Sequence, residues 1–383
     1  MTINEMGFNS VRPYNVHELQ PAIKRITESK EFYAVVPFVF PDKKIEDVKE
    51  MLMGIQTAED FQKVFMHRAV RRVVEQSSAG LTYDGFDKLN PNVPYLFIAN
   101  HRDIVLDSAM LQVLLVEHNI TTSEITFGSN LMISPFIVDF GKVNKMFTVN
   151  RGGTKQDVLK NSKNLSAYIR YSITKNKSSI WIAQRNGRTK NGFDKTEEAL
   201  LKMLNLSGNN GLIENFTELN IVPLTVSYEY EPCGVLKVNE LYQSRFTEYV
   251  KKPGEDFNSI ITGFKQFKGK IHLSAGEPIN EQLRLLKPDT NAKENIRNTA
   301  QIIDETIYTN YKLWKTNYIS FDILNKGNTY SEFYTENEKA VFVDTIEKEI
   351  SKLNGDKDDL LKIYFEMYAN PVINKNLCNF AGK

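Results

Sequence analysis

The sequence predicts an α/β fold, a central sheet flanked by helices and extended by helical segments at both ends. Three observations carry this prediction. Between residues 81 and 282, short apolar β-prone runs alternate with helix-periodic stretches, the pattern of strands covered by helices. Residues 1–80 and 283–383 show helical periodicity without strand-like runs. With 383 residues, of which 41% are hydrophobic and 25% charged, the chain can bury a large core.

In order along the chain, residues 15–76 read as a helical N-terminal cap. Its apolar positions Ile45, Val48, Met51, Leu52 and Ile55, then Phe61, Val64, Phe65, Ala69, Val73 and Val74, recur at helical spacing. Lys63, Arg68, Arg71 and Arg72 form a basic face, either a solvated surface or a face for anionic headgroups. Strands are expected at 95–99, 146–149, 179–183, 221–228 and 270–274, with helices at 108–118, 155–174 and 196–204 between them. Beyond residue 280 the strands stop, and helices are expected at 292–314, 337–353 and 358–368 with a loop at 325–331. This divides the chain into a cap (1–80), a core (81–282) and a helical extension (283–383).

Composition narrows the function. A formal net charge of +1 offers no electrostatic footprint for nucleic acid. Cys233 and Cys378 are the only cysteines and stand in no ligand pattern, so no disulfide framework or metal site is expected, and a reducing cytoplasmic compartment fits best. Residues 1–14 lack the basic start and apolar core of a signal peptide, and no apolar run is long enough to span a bilayer. Any work on lipids is therefore expected at a membrane surface, on the inner face of the cytoplasmic membrane. Dinucleotide-binding, P-loop and Gly-x-Ser-x-Gly patterns do not occur, which sets aside three large enzyme classes.

In open α/β sheets, functional residues gather where strands end, and three strand ends carry chemistry-bearing residues. After the run 95–99 comes Asn100-His101-Arg102-Asp103, followed by Asp107. Histidine accepts a proton near neutral pH, and a nearby carboxylate fixes its tautomer and stabilises the imidazolium. Either aspartate could equally cap the following helix. After 146–149 come Asn150, Arg151, Gly152 and Gly153, a guanidinium beside exposed backbone N–H groups, suited to an anion or to a plain turn. After 179–183 come Gln184, Arg185, Asn186, Gly187, Arg188, Thr189 and Lys190, a basic segment whose glycine permits close backbone approach. The run Ile221, Val222, Pro223, Leu224 is almost wholly apolar and reads as core strand. Residues 131–140, with Met132, Ile133, Phe136, Ile137 and Phe140, would line an apolar groove, dip into a bilayer, or pack as a buried helix or strand against the sheet.

The order of these segments, His-x5-Asp, Phe-Thr-Val-Asn-Arg, Arg-Asn-Gly-Arg and Ile-Val-Pro-Leu-Thr-Val, resembles the four-block signature of the glycerolipid acyltransferase superfamily over roughly residues 81–279. That resemblance implies a mixed central sheet of the glycerol-3-phosphate acyltransferase type. It implies an O-acyltransferase that moves a fatty acyl group from acyl-CoA or acyl carrier protein to glycerol 3-phosphate or a lysophospholipid, with no bound cofactor. By the same resemblance His101 is the general base and Asp107, or alternatively Asp103, orients it. Arg151 holds the acceptor phosphate, Arg185, Asn186, Gly187 and Arg188 form the rest of the acceptor site, and Pro223 shapes the acyl-side wall. Two departures stand out. Five residues separate His101 from Asp107 where the family usually has four, and Asn186 replaces a glutamate while Arg188 falls one position early. The second departure leaves room for another acceptor, such as an N-acylated amino acid lipid, or for a lipid-binding module without turnover.

Overall fold

The computed structural model describes residues 7–150, 152–286 and 291–381. Its strands are β1 (Leu81–Asp84), β2 (Leu96–Ala99), β3 (Glu124–Gly128), β4 (Met146–Val149), β5 (Ile180–Ala183), β6 (Ile221–Tyr228) and β7 (Ile271–Ala275). They form one sheet in the order β1-β7-β6-β2-β5-β3-β4. Every neighbouring pair is parallel except β6 and β7, so β1 and β7 run against the rest. The fold is thus the mixed α/β sheet with helical ends that the sequence predicts. β2 and β6 are buried along their whole length, as expected for strands covered on both faces.

Two strands escape the sequence reading. β1 is Leu-Thr-Tyr-Asp with most positions exposed, and β3 is Glu-Ile-Thr-Phe-Gly; neither presents an apolar run. Helices Gly234–Gln243, Glu255–Lys265 and Lys315–Asn325 are further additions, and the last helix runs from Lys357 to Ala381, well past the expected end at 368. Pro371 lies inside it, the kind of residue that reads as a helix stop but is tolerated where packing holds the flanking turns.

Capping chemistry sets several boundaries. Asn15 with Glu18, Thr154 with Asp157 and Thr335 with Glu338 form reciprocal capping boxes at the starts of helices Val16–Thr27, Lys155–Thr174 and Glu336–Ile350. Pro135 opens helix Pro135–Val143, and Ser134 accepts from the Ile137 N–H. Helix Leu106–Glu117 differs: residues 106–115 are all buried, because it lies between the sheet and the N-terminal helices.

The sheet separates two cores. Ile98, Ile182 and Ile221 face helices Lys155–Thr174 and Ala292–Asn310, whereas Phe97, Trp181, Leu224 and Tyr228 face helix Leu106–Glu117. The N-terminal helices have their own aromatic core around Phe40, Phe61 and Phe65. They dock on helix Pro135–Val143, where Asp139 accepts two bonds from Arg25 (2.7 and 2.8 Å) and one from Tyr14 Oη (2.7 Å). Three of the four residues of the expected basic face pair internally: Lys63 with Glu59 (3.2 Å), Arg68 with Asp42 and Arg71 with Glu117, while Arg72 Nε is buried without a partner. The pairing of Lys63, Arg68 and Arg71 favours the solvated-surface reading of this face. Among the described residues, no helix is long and apolar enough to cross a membrane.

Candidate active site

β2 ends at Ala99, and the chain is pinned at once. Asn100 donates to the Val226 carbonyl (3.0 Å) and to Asp194 Oδ2 (3.1 Å), and its Oδ1 accepts the Val226 N–H (2.7 Å). His101 follows with 12% of its side chain exposed. Its Nδ1 lies 2.9 Å from Asp107 Oδ2, and its ring meets Trp181 edge-on at 5.5 Å. Among the described residues no group bonds the second ring nitrogen, Nε2.

Asp107, rather than Asp103, makes this contact. Its Oδ2 also accepts the backbone N–H groups of Arg102 (2.6 Å) and Asp103 (2.9 Å), while Oδ1 accepts Tyr228 Oη (2.7 Å). Burial alone would raise its pKa. The hydrogen bond and charge of His101, the Tyr228 hydroxyl and the Asp103 N–H outweigh that and hold the carboxyl below its ordinary range. The extra residue between histidine and aspartate is absorbed in this turn, which folds back onto the carboxylate.

Asp103 is the cap. Its Oδ1 accepts the N–H groups of Val105 (3.0 Å) and Leu106 (2.9 Å) at the start of helix Leu106–Glu117. Its Oδ2 is buried without a partner, and burial followed by the charge of Asp107 pushes its pKa up. Helix Glu255–Lys265 packs directly on it: a Cβ on Gly263 would stand 2.2 Å from Asp103 Oδ2.

Between His101 and Asp103, Arg102 turns inward and is completely buried. It bonds Asp194 (2.6 Å) and Glu231 (2.9 Å), and Lys237 bridges Glu231 (2.5 Å) to the Arg102 carbonyl (2.8 Å). Removing one partner from such a cluster leaves an uncompensated buried charge, at a cost of about 3–5 kcal/mol. Arg102, Asp194, Glu231, Lys237 and Tyr228 were not singled out from the sequence. Tyr228 alone left a signal, a polar tip ending an apolar run at the even positions that share a face of β6.

The segment after β5 lies beside the histidine, because β5 and β2 are parallel neighbours. Thr189 N–H donates to the His101 carbonyl (2.7 Å). Arg188 is close enough to Asp103, Cys233 and Lys237 for its charge to act on them. Arg188 Nη1 and Arg185 Nε are buried without a hydrogen-bond partner. Gly187 adopts φ +77°, with open space where a side chain would project. Asn186 is exposed, and its N–H donates to Glu197 Oε2 (3.1 Å), so a carboxylate reaches this spot from elsewhere in the chain.

Two expected site residues need separate comment. Arg151 lies outside the described residues. Pro223 is displaced from the expected acyl-side wall. It pairs in register with Ile98, and strand alternation turns both toward the face covered by helix Ala292–Asn310, opposite to Asp107 and Tyr228. That helix also carries Asp304, which accepts the Thr196 N–H (2.8 Å) and whose pKa burial pushes up to about 6. A carboxyl bound more tightly to its proton in the folded state stabilises fully below its ordinary value of 3.8, and this contribution is lost as pH rises toward 6. Asp304→Asn is therefore expected to flatten the decline in melting temperature between about pH 4 and 6.

A cavity of about 740 Å³ opens next to the histidine turn, reaching Val105 and Leu106. Its walls come from the N-terminal helices (Phe38, Ala69), from Leu131, Ile133, Phe136, Ile137 and Phe140, and from helix Glu255–Lys265 (Ile260, Phe264). The groove reading of residues 131–140 thus applies. Met132 alone turns away, its sulfur accepting from Thr148 Oγ1 at 3.8 Å. The volume falls within the range of sites that enclose small ligands.

A histidine oriented by a buried carboxylate, next to a hydrocarbon-lined space at the carboxyl ends of an α/β sheet, is suited to an enzyme that transfers acyl chains. Residues 80–229 match the sequence model of the family described as Acyltransferase. The matched residues are those of the sheet from β1 to β6, and the match agrees with the four-block resemblance to the glycerolipid acyltransferase superfamily. Among solved structures, the 1-acyl-sn-glycerophosphate (LPA) acyltransferase PlsC from Thermotoga maritima aligns with 76% of this chain and 92% of its own, at 10% identity and a TM-score of 0.40. No curated protein matches the chain.

Proposed function

We propose that this enzyme moves a fatty acyl group from an acyl thioester, acyl-CoA or acyl carrier protein, to the hydroxyl of glycerol 3-phosphate or a lysophospholipid. The observation that carries this reading is the His101–Asp107 pair, held in the turn whose Val105 and Leu106 line the apolar cavity. His101 Nε2 takes the hydroxyl proton as the oxygen attacks the thioester carbonyl. The C–S bond then breaks, and the imidazolium returns the proton to the leaving thiolate. Asp107 holds Nδ1 and stabilises the imidazolium without taking its proton. A thioester is already activated, so orientation and one base suffice, with no covalent enzyme intermediate and no cofactor.

Arg185 and Arg188 supply the anion-binding side, with Arg151 in the same role. Their unpartnered nitrogens and the loss of the glutamate at 186 also favour a second reading, in which the acceptor carries a carboxylate, as an N-acylated amino acid lipid does. In either case the core (81–282) holds the chemistry, and the cap (1–80) completes the acyl wall. The cavity-lining residues Val35, Phe38, Ile133 and Phe257 are exposed, which supports work at a lipid surface; the cytoplasmic face of the membrane is part of the proposal.

Thiol release from acyl-CoA and acyl carrier protein, measured with glycerol 3-phosphate, lysophosphatidate and an N-acyl amino acid in turn, tests the proposal. Acceptor-stimulated release together with an acylated product supports it; release that no acceptor stimulates rejects it. The cavity makes a separate prediction. Ala69→Phe intrudes on its wall and is expected to lower kcat/KM for long-chain donors by about tenfold or more while sparing short ones, read from a series of donor chain lengths.

A further inference from the structure

The C-terminal helix Lys357–Ala381 lies far in sequence from the histidine turn, yet it grips the segment that carries Arg185 and Arg188. Asn370 Nδ2 donates to the Asn191 carbonyl (2.7 Å), and Asn374 Nδ2 approaches the Gly192 carbonyl (3.4 Å). Gly192 adopts φ +77°, and a Cβ there would stand 2.0 Å from the Met367 carbonyl oxygen. Only glycine lets the helix backbone come this close. The helix is anchored in turn: Tyr368 Oη accepts the Glu231 N–H (2.8 Å), and Asn317 donates to the Tyr368 carbonyl (2.9 Å). On its other side, the same segment is tied to the first block through Thr189 N–H and the His101 carbonyl (2.7 Å), and through Arg102 and Asp194 (2.6 Å).

We infer that the C-terminal helix is a working part of the acceptor side of the active site, with Asn370 as the positioning residue that holds the 185–192 segment at the height where its guanidinium groups meet the acceptor's anion. This rests on the functional reading above. Asn370 touches no reacting atom and acts through the Asn191 carbonyl. Because its bond lies at the surface rather than in the core, it can be removed without opening a buried void. The helical extension is then required for acceptor affinity and dispensable for the proton transfer itself.

Asn370→Ala and the nearly isosteric Asn370→Asp, which replaces the donor with an acceptor, test this in the full-length protein. Both are expected to raise the acceptor KM about two- to tenfold, the range of one net hydrogen bond. The donor KM, kcat and melting temperature should stay at wild-type values. Hydrogen exchange of backbone amides in residues 185–192 should quicken in both variants. A merely space-filling Asn370 would leave Asn370→Asp like the wild type, which overturns the inference. Unchanged acceptor KM and unchanged exchange overturn it too, as does an equal loss across all kinetic constants with a lowered melting temperature. If the wild-type protein itself shows no acceptor-dependent transfer, the functional reading falls and this inference with it. Normal wild-type transfer with unaltered variants removes the inference alone.

Discussion

His101→Ala is expected to lower kcat by about a hundredfold to ten-thousandfold, the usual contribution of a positioned general base. The side chain is mostly buried but sits at the end of β2 rather than within either main core, and Asp107 keeps three other donors when the imidazole goes. The melting temperature should therefore change little, and acceptor and donor KM values should stay near wild type. Single-turnover thiol release separates a chemical defect from a binding one. Wild-type rates in this variant would remove the proton-transfer mechanism altogether.

The second large effect separates the two aspartates. Asp107→Asn keeps the shape but replaces a carboxylate that accepts four donors with an amide that has one acceptor oxygen and adds an NH₂ group. His101 loses its charged partner in either orientation of the amide, and with the NH₂ group turned toward Arg102 and Asp103 their N–H groups lose their acceptor as well. A fall in kcat of about a hundredfold or more is expected, with a stability loss of about 1–3 kcal/mol for the buried donor left unmatched. Asp103→Asn should do neither. Its capping Oδ1 survives as the amide oxygen, and Oδ2, which accepts no hydrogen bond, is the atom the amide nitrogen replaces. Near-wild-type kcat in Asp103→Asn beside a crippled Asp107→Asn assigns the pair; the reverse ranking would transfer the orienting role to Asp103. Stopped-flow kinetics and thermal unfolding of both variants decide the matter.

Much of this was legible along the chain because it depends on neighbours in sequence. Apolar runs such as 221–228 locate strands that are buried on both faces, and a histidine directly after such a run must emerge at a strand end. The apolar side of 131–140 marks a wall of the cavity because a helix opened by Pro135 can present Phe136, Ile137 and Phe140 together. β1 is only four residues and mostly exposed, and β3 alternates over only five residues with Glu124 and Thr126 among its apolar positions, so neither offers the continuous apolar run that marks the other strands. Pro223 was placed on the wrong side because the face a strand residue takes depends on its register with β2, which no local pattern contains.

The sequence by itself determined the α/β class and the strand that delivers His101, since both follow from local periodicity, and it carried the order of the four blocks, which the family resemblance picks out. Only the tertiary structure decided which carboxylate meets the imidazole. That choice depends on Tyr228, 121 residues away from Asp107, and on a backbone turn that brings two N–H groups onto a single oxygen. It also decided that Arg102 is a buried strut between Asp194 and Glu231, and that a helix at the far end of the chain holds the arginine-bearing segment. These are long-range contacts among polar groups, and they arise only when desolvation forces each buried donor to find an acceptor wherever the fold provides one.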